Sequence, residues 1–292
     1  SGKSYEECLQ DNILKPLKMN NTGYDHLETI IKNRASGYDK KGKDYSNANY
    51  LDMSIPYAAG SLYSTVEDLY LWDQALYTEQ LLSIKNRELL FNSYIPAGPG
   101  YYGYGWFINK APNGGSKDSL TVVEHGGGIN GFNTIVSRIP SDKNLVVLLN
   151  NTGGAKLNEM STAIRNILYN APYSLPKKSL ASSFVAIILE KGIASGLTFF
   201  NENKKSDTYA LNESEMNNEG YQLLQTGKVK EALAIFKLNV ESFPKSGNAY
   251  DSLGEAYLKD GDKKLAILNY KKSVELDPNN QNGKKVLEEI TK

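Results

Sequence analysis

One stretch gathers the residue types that chemistry needs. Val122-Val123-Glu124-His125-Gly126-Gly127-Gly128-Ile129-Asn130-Gly131-Phe132 ends an apolar β-branched run at an imidazole, then supplies glycines, then opens a new apolar run. Imidazole takes up and releases protons near neutral pH. Glycine lets the main chain turn to positive φ and lets another molecule approach the backbone. A strand that stops in a glycine-rich bend beside one titratable group reads as a site; the plainer alternative is a loose hairpin with a solvated histidine. The other histidine, His26, is too distant in sequence to share metal-ligand spacing with His125. The single Cys8 excludes an internal disulfide framework and a cysteine-based zinc site. No metal and no cofactor are expected.

The elements that must position this stretch are legible on both sides of it. Ser4-Tyr5-Glu6-Glu7 is a capping box, and the helix behind it places Tyr5, Cys8, Leu9 and Ile13 on one stripe and stops near Pro16. Residues 20–60 are polar and tyrosine-rich and read as a long ordered loop region. Ser64-Thr65-Val66-Glu67 is a second capping box, whose helix carries Val66, Leu69, Trp72 and Leu76; a third helix runs from Ser83 to about Asn92. The period then changes to that of strands: Tyr104 to Ile108, Leu120 to Glu124, Phe132 to Ile139 and Leu145 to Leu149. Their short connections favour an antiparallel meander. Leu145–Leu149 is apolar on both faces, as a central strand is. A helix with Leu157, Met160, Ile164, Ile167 and Leu168 as its stripe follows. The fold class is therefore α+β, an antiparallel sheet with flanking helices over residues 1–172. Residues 173–209 read as a helical connector.

Two families offer a use for the histidine strand. His-Gly-Gly-Gly is an oxyanion-hole signature of α/β-hydrolases, but that fold needs a Gly-x-Ser-x-Gly elbow and a later histidine, and neither is present. A second resemblance covers more of the chain. Gly2-Lys3-Ser4-Tyr5-Glu6-Glu7, Ile13-Leu14-Lys15-Pro16-Leu17-Lys18-Met19 with Thr22-Gly23-Tyr24, Ala58-Ala59-Gly60-Ser61-Leu62-Tyr63-Ser64-Thr65-Val66-Glu67-Asp68-Leu69, Tyr102-Gly103-Tyr104-Gly105-Trp106, and His125-Gly126-Gly127 through Gly131-Phe132 occur in order. Together they resemble the serine β-lactamase and penicillin-binding-protein-like family, in its His-x-Gly branch, over residues 1–170. That resemblance implies a serine acylated by an amide, ester or β-lactam and freed by water. It implies that His125 binds the substrate carboxylate or assists proton transfer, that Gly126 and Gly127 line the substrate, and that the Gly128 amide is an oxyanion donor.

The family's nucleophile, Ser-x-x-Lys, has no counterpart in that order. Ser174-Leu175-Pro176-Lys177 and Ser242-Phe243-Pro244-Lys245 have the letters, but each holds an internal proline and lies outside the matching region. Tyr45-Ser46-Asn47 has the letters of the family's Tyr-x-Asn element, yet falls after the helix that should follow it. The chain is thus expected to be a C-terminal portion, inactive alone. Leu145–Leu149, which the family sheet flanks with two N-terminal strands, becomes an edge and should pair with an N-terminal fragment, another copy or a reordered segment. An extracytoplasmic bacterial setting is implied by the resemblance.

The last part has a different logic. Gly220 and Gly254, Gly227 and Gly261, Ala232 and Ala266, Phe236 and Tyr270, and Pro244 and Pro278 are each 34 apart. That period resembles two tetratricopeptide repeats, with a capping helix from about Gly283 to Ile290, so residues 210–292 form an all-α repeat domain. The resemblance implies a protein or peptide partner, with Asn248, Asp251 and Asn282 as polar contacts, and an alternative function as an interaction module with the hydrolase-like part as a platform. Lysine plus arginine and aspartate plus glutamate stand at 33 each, so no basic field recruits nucleic acid. No apolar run is long enough to span a bilayer.

Overall fold

In a computed structural model, residues 2–41 and 44–291 are described, and the chain divides into two compact units, Ser1–Pro176 and Lys177–Lys292.

In the first unit, α1 (Tyr5–Leu9) starts at the expected box: the Ser4 hydroxyl accepts the Glu7 amide and the Glu7 carboxylate accepts the Ser4 amide. The helix passes Pro16 by one residue. It continues through a π-type turn, Gln10–Leu14, and a last turn, Lys15–Leu17, because proline in a new first turn has no intrahelical donor to lose. The wider turn brings Leu9, Leu14 and Leu17 into the core, with Tyr5 and Ile13 beside them. The next helix, α2 (Val66–Ala75), is capped by Thr65, one residue later than the sequence suggests, since the Ser64 hydroxyl is engaged with Thr22. A shorter helix, α3 (Ile84–Leu90), is capped by Ser83.

The sheet is a six-stranded antiparallel meander: β1 (Ile95–Ala97), β2 (Gly100–Tyr102), β3 (Phe107–Ala111), β4 (Leu120–Ile129), β5 (Phe132–Ile139) and β6 (Asn144–Asn150), each paired with the next. The strand placed over Tyr104–Ile108 starts later, because Gly105 at φ 79 turns the chain first. The short β1–β2 hairpin escapes the alternation signal because Pro96, Gly98 and Gly100 mask it. Two helical layers flank the sheet. On one face Val123 and Ile108 pack with Trp106 and Leu76, and Trp106 stacks on Trp72 of α2. On the other face α4 (Leu157–Leu168) lies against β5 and β6. Leu145–Leu149, apolar enough for a centre, stands at the sheet edge, and Leu149 is exposed. The α4 stripe is likewise largely unused: Leu157 is buried, while Met160, Ile164, Ile167 and Leu168 face solvent.

The second unit begins with a two-residue parallel pairing, Lys178–Ser179 with Tyr209–Ala210. Between them the helical segment breaks at Gly192 (φ 84) into α5 (Leu180–Lys191) and α6 (Ile193–Asn203). Four helices follow as two antiparallel pairs: α7 (Glu213–Gln225) with α8 (Val229–Ser242), and α9 (Gly247–Asp260) with α10 (Lys263–Leu276). A final helix, α11 (Gln281–Thr291), packs on α10. The repeat positions explain themselves: a Cβ on Gly220 would meet the Phe236 ring at 2.4 Å, and one on Gly254 the Tyr270 ring at 3.0 Å. The α5 and α6 side chains Leu180, Phe184, Ile188 and Phe200 share one core with Met216, Ala232 and Phe236. Among the described residues no helix is long and apolar enough to cross a membrane.

The deepest polar contact lies between α2 and the sheet. Arg138 on β5 donates Nε–H to the Asp73 carboxylate, both groups being almost wholly buried. The guanidinium also lies 5.0 Å from the Tyr77 and Phe91 ring centres. Removing one partner strands a charge in low dielectric, whereas replacing both with apolar groups need not. Arg138→Met is expected to cost about 3–5 kcal/mol in urea unfolding, and the Asp73→Leu, Arg138→Met double substitution to recover most of that loss.

Candidate active site

The His125 stretch is a strand throughout. β4 does not stop at the histidine: it runs through Gly126, Gly127 and Gly128 to Ile129 and turns only at Asn130-Gly131. The bend is carried by Gly131 alone among these glycines, at φ 74. A Cβ there would also meet the Ala48 Cβ at 2.6 Å and the Gly37 backbone at 2.7 Å. The hairpin Tyr38–Lys41 with Asp44–Asn47 therefore sits at this end of the sheet, held by Asn130 Nδ2–H to the Asn49 carbonyl and by Tyr38 N–H to the Asn151 carbonyl. Tyr45-Ser46-Asn47 belongs to this hairpin, with Tyr45 exposed.

Register fixes what β4 offers. β3 ends opposite Glu124, at the Phe107–Glu124 pair, whereas β5 follows β4 to the Ile129–Phe132 pair. Residues 125–129 are thus paired on one side only. A two-residue turn closes on a pair that exchanges both hydrogen bonds, and such pairs recur every second residue. Counting back from Ile129, Gly127 and His125 direct their amides and carbonyls to β5. Gly126 and Gly128 direct theirs to the open side. Both are exposed, and no side chain of β4 screens them. The side chain of His125 is exposed beside this edge. Its ring stacks on Phe107 at 5.6 Å and 29°, and its Nε2 lies 3.0 Å from the Tyr102 hydroxyl. Phe107 in turn meets Tyr102 edge-on at 4.7 Å. When the Tyr102 hydroxyl donates, it assigns the ring proton to Nδ1. On the opposite face, Glu124 accepts from Ser137 Oγ–H at 2.8 Å and faces Arg165 of α4 at 3.8 Å. Tyr102 opens the Tyr102–Trp106 motif and Phe107 follows it, but neither type nor spacing marks them as site residues; the pairing of β2 with β3 brings both to His125.

The repeat residues are distributed differently. Asn248 donates to Glu213 at 3.4 Å, and Asp251 accepts from Asn280 at 2.6 Å. Burial pushes the Asp251 carboxyl above the usual range, against the Asn280 bond. Asn282 is exposed one helix away on α11. Among the described residues no group of three or more histidine, cysteine or acidic side chains is placed to hold a metal.

A family model described as Beta-lactamase matches residues 1–169. The chain belongs to the beta-lactamase family. A Tetratricopeptide repeat model matches residues 247–280, the α9–α10 pair, so the family domain is followed by repeat structure. The putative penicillin-binding protein PbpX of Bacillus subtilis (strain 168) is 31% identical over 169 residues, 58% of this chain and 40% of the relative. A second penicillin-binding protein of that strain is 27% identical over 231 residues, 69% of this chain and 50% of the relative. The octameric penicillin-binding protein homologue from Pyrococcus abyssi superposes with TM-score 0.51 at 26% identity, covering 65% of this chain and 42% of that one. The chain spans about half or less of the length of the relatives it matches. The superposition with the Pyrococcus abyssi structure agrees with the α+β fold, a sheet with flanking helices, that the residue pattern implies.

Two outcomes follow from this geometry. Gly131→Ala is expected to cost about 1–3 kcal/mol in chemical unfolding, from strain at positive φ plus the Ala48 contact. Tyr102→Phe is expected to leave unfolding within about 0.5 kcal/mol while redistributing the His125 ring proton between its nitrogens, read from nitrogen-15 imidazole shifts.

Proposed function

We propose that the family domain of this chain is the C-terminal portion of a serine acyl hydrolase, supplying one wall of its pocket. The carrying observation is the one-sided strand: outward Gly126 and Gly128 amides beside an exposed histidine. In the reaction the serine Oγ attacks the carbonyl of an amide, ester or β-lactam, the leaving group takes a proton, and water hydrolyses the resulting ester. The Gly128 N–H stabilises the oxyanion in both tetrahedral steps. Gly126 and Gly127 line the bound acyl chain, which runs beside β4 as an added strand would. His125 binds the substrate carboxylate or assists proton transfer, with Tyr102 fixing its ring.

The serine and its lysine come from a segment that pairs with the open edge of β6 and covers the exposed α4 face. Neither Ser-x-x-Lys string of this chain suits the role. Lys177 is bonded to Asp207, and Ser242 ends α8 just before the turn that holds Lys245. This chain alone is therefore inactive. The penicillin-binding relatives support an extracytoplasmic setting.

A second reading is favoured by the repeat match: the working activity is docking of a protein or peptide by the repeats, through Asn248, Asp251 and Asn282 on α9 and α11. A fluorescent penicillin and a nitrophenyl ester separate the two readings. The chain alone is expected to show neither labelling nor turnover above background. Adding the N-terminal segment of a family member that supplies the missing strands is expected to restore turnover and to protect the amides of residues 145–149 from hydrogen exchange. Failure of every such complement would leave docking as the function; turnover by the chain alone would overturn the proposed division of the site. In the complemented enzyme Gly128→Pro is expected to lower kcat about 10²–10³-fold with little loss of stability, since that amide faces away from β5.

A further inference from the structure

One concavity is lined by no residue of the His125 strand, and the hydrolase reading makes no use of it. It is a cleft of about 470 Å³ lined by the start of α1, by Tyr24–Glu28 and by Asp52–Tyr57. Three tyrosine rings meet there. Tyr5 lies 6.2 Å from Tyr24 and 5.4 Å from Tyr57, and Tyr24 lies 6.2 Å from Tyr57. Tyr57 is 53% exposed although its backbone sits at φ 46, a conformation costly for an aromatic residue.

The polar lining is one-sided in charge. Glu6, Asp25, Glu28 and Asp52 line the cleft, and no lysine or arginine does among the described residues. His26 lines it too, 2.7 Å from Glu6 and 4.8 Å from the Tyr24 ring. Asp25 is 7% exposed. One of its oxygens pairs with Arg34 at 2.7 Å, and the other is buried without a hydrogen-bond partner. Burial pushes this carboxyl above the usual range, against the pull of Arg34 and His26. An unsatisfied buried carboxylate oxygen is a cost that a bound positive charge offsets.

Aromatic faces and dispersed carboxylates select the kind of cation. A divalent metal needs several oxygens converging within about 2–2.6 Å, and no such group of donors is assembled here. Ring faces attract a large, weakly hydrated cation through their quadrupoles, and neighbouring carboxylates add the long-range field. We propose that this cleft binds a substituted ammonium group, held against Tyr5, Tyr24 and Tyr57 and neutralised by Glu6, Asp25 and Asp52. The site is independent of the acyl-transfer reading and is complete within residues 4–57.

The two histidines make the test selective, since His26 lines the cleft and His125 does not. Choline and butylammonium are titrated into the full chain at constant ionic strength while the two imidazole proton resonances are followed, with His125→Gln giving the assignment. The His26 resonance is expected to shift saturably and the His125 resonance to stay in place. The uncharged isostere 3,3-dimethylbutan-1-ol is expected to leave both unmoved. Tyr57→Gly removes the ring and relieves the positive φ, so it keeps the fold, checked by circular dichroism, and is expected to weaken binding about ten-fold. Asp52→Asn is expected to weaken it by a smaller factor. The proposal is overturned if neither cation shifts His26, if the neutral alcohol does so equally, or if Tyr57→Gly titrates as the parent does.

Discussion

Everything at the candidate active site hangs on the pairing of β4 with β5. The turn at Asn130-Gly131 sets the register, and a slip of one residue would exchange every inward and outward group on the strand. With the register as it stands, Gly126 and Gly128 present their peptide groups to the open side while His125 projects toward Phe107. Gly131 holds the turn because two constraints coincide there: a left-handed backbone angle and the close approach of Gly37 and Ala48. Farther down the same hairpin, Arg138 ties β5 to α2 through Asp73. The site is thus pinned at both ends of one strand pair.

Local signals carried most of the fold. Ser4 and Glu7 announce α1, and Ser83 announces α3, because capping is a short-range interaction written within four residues. The Leu120, Phe132 and Leu145 runs announce strands by their branched and aromatic content. What the residues did not reveal depends on partners distant in sequence. Glycines after His125 look like a bend in isolation; they are straight because β5 pairs along their whole length. Thr65 takes the cap from Ser64 because Thr22, 42 positions earlier, engages Ser64. Leu157, Met160, Ile164, Ile167 and Leu168 form an apolar stripe that predicts burial, yet of these five Leu157 alone is buried, and the helix buries Ser161, Ala163 and Arg165 instead.

At the site, His125 and the glycines stood out by type, whereas Tyr102 and Phe107 did not. Their contribution needs the β2–β3 pairing, and a proline- and glycine-bearing hairpin hides that pairing from any alternation pattern. The repeat unit shows the opposite behaviour. Its contacts join neighbouring helices, so a period of 34 residues encodes both the helices and their close packing, and Gly220 against Phe236 repeats as Gly254 against Tyr270.

The strict neighbour-to-neighbour order of the six strands bears on how the unit assembles. Each strand meets its partner after a short connection, so the entropy lost in closing each loop is small and the sheet grows by successive zippering. The Asp73–Arg138 bond, spanning 65 positions, and the Ser36–Asn151 bond, spanning 115, must await distant encounters. Such a sheet has its nucleation information inside itself, and a ribosome releasing these residues in order would hand each strand its neighbour in turn.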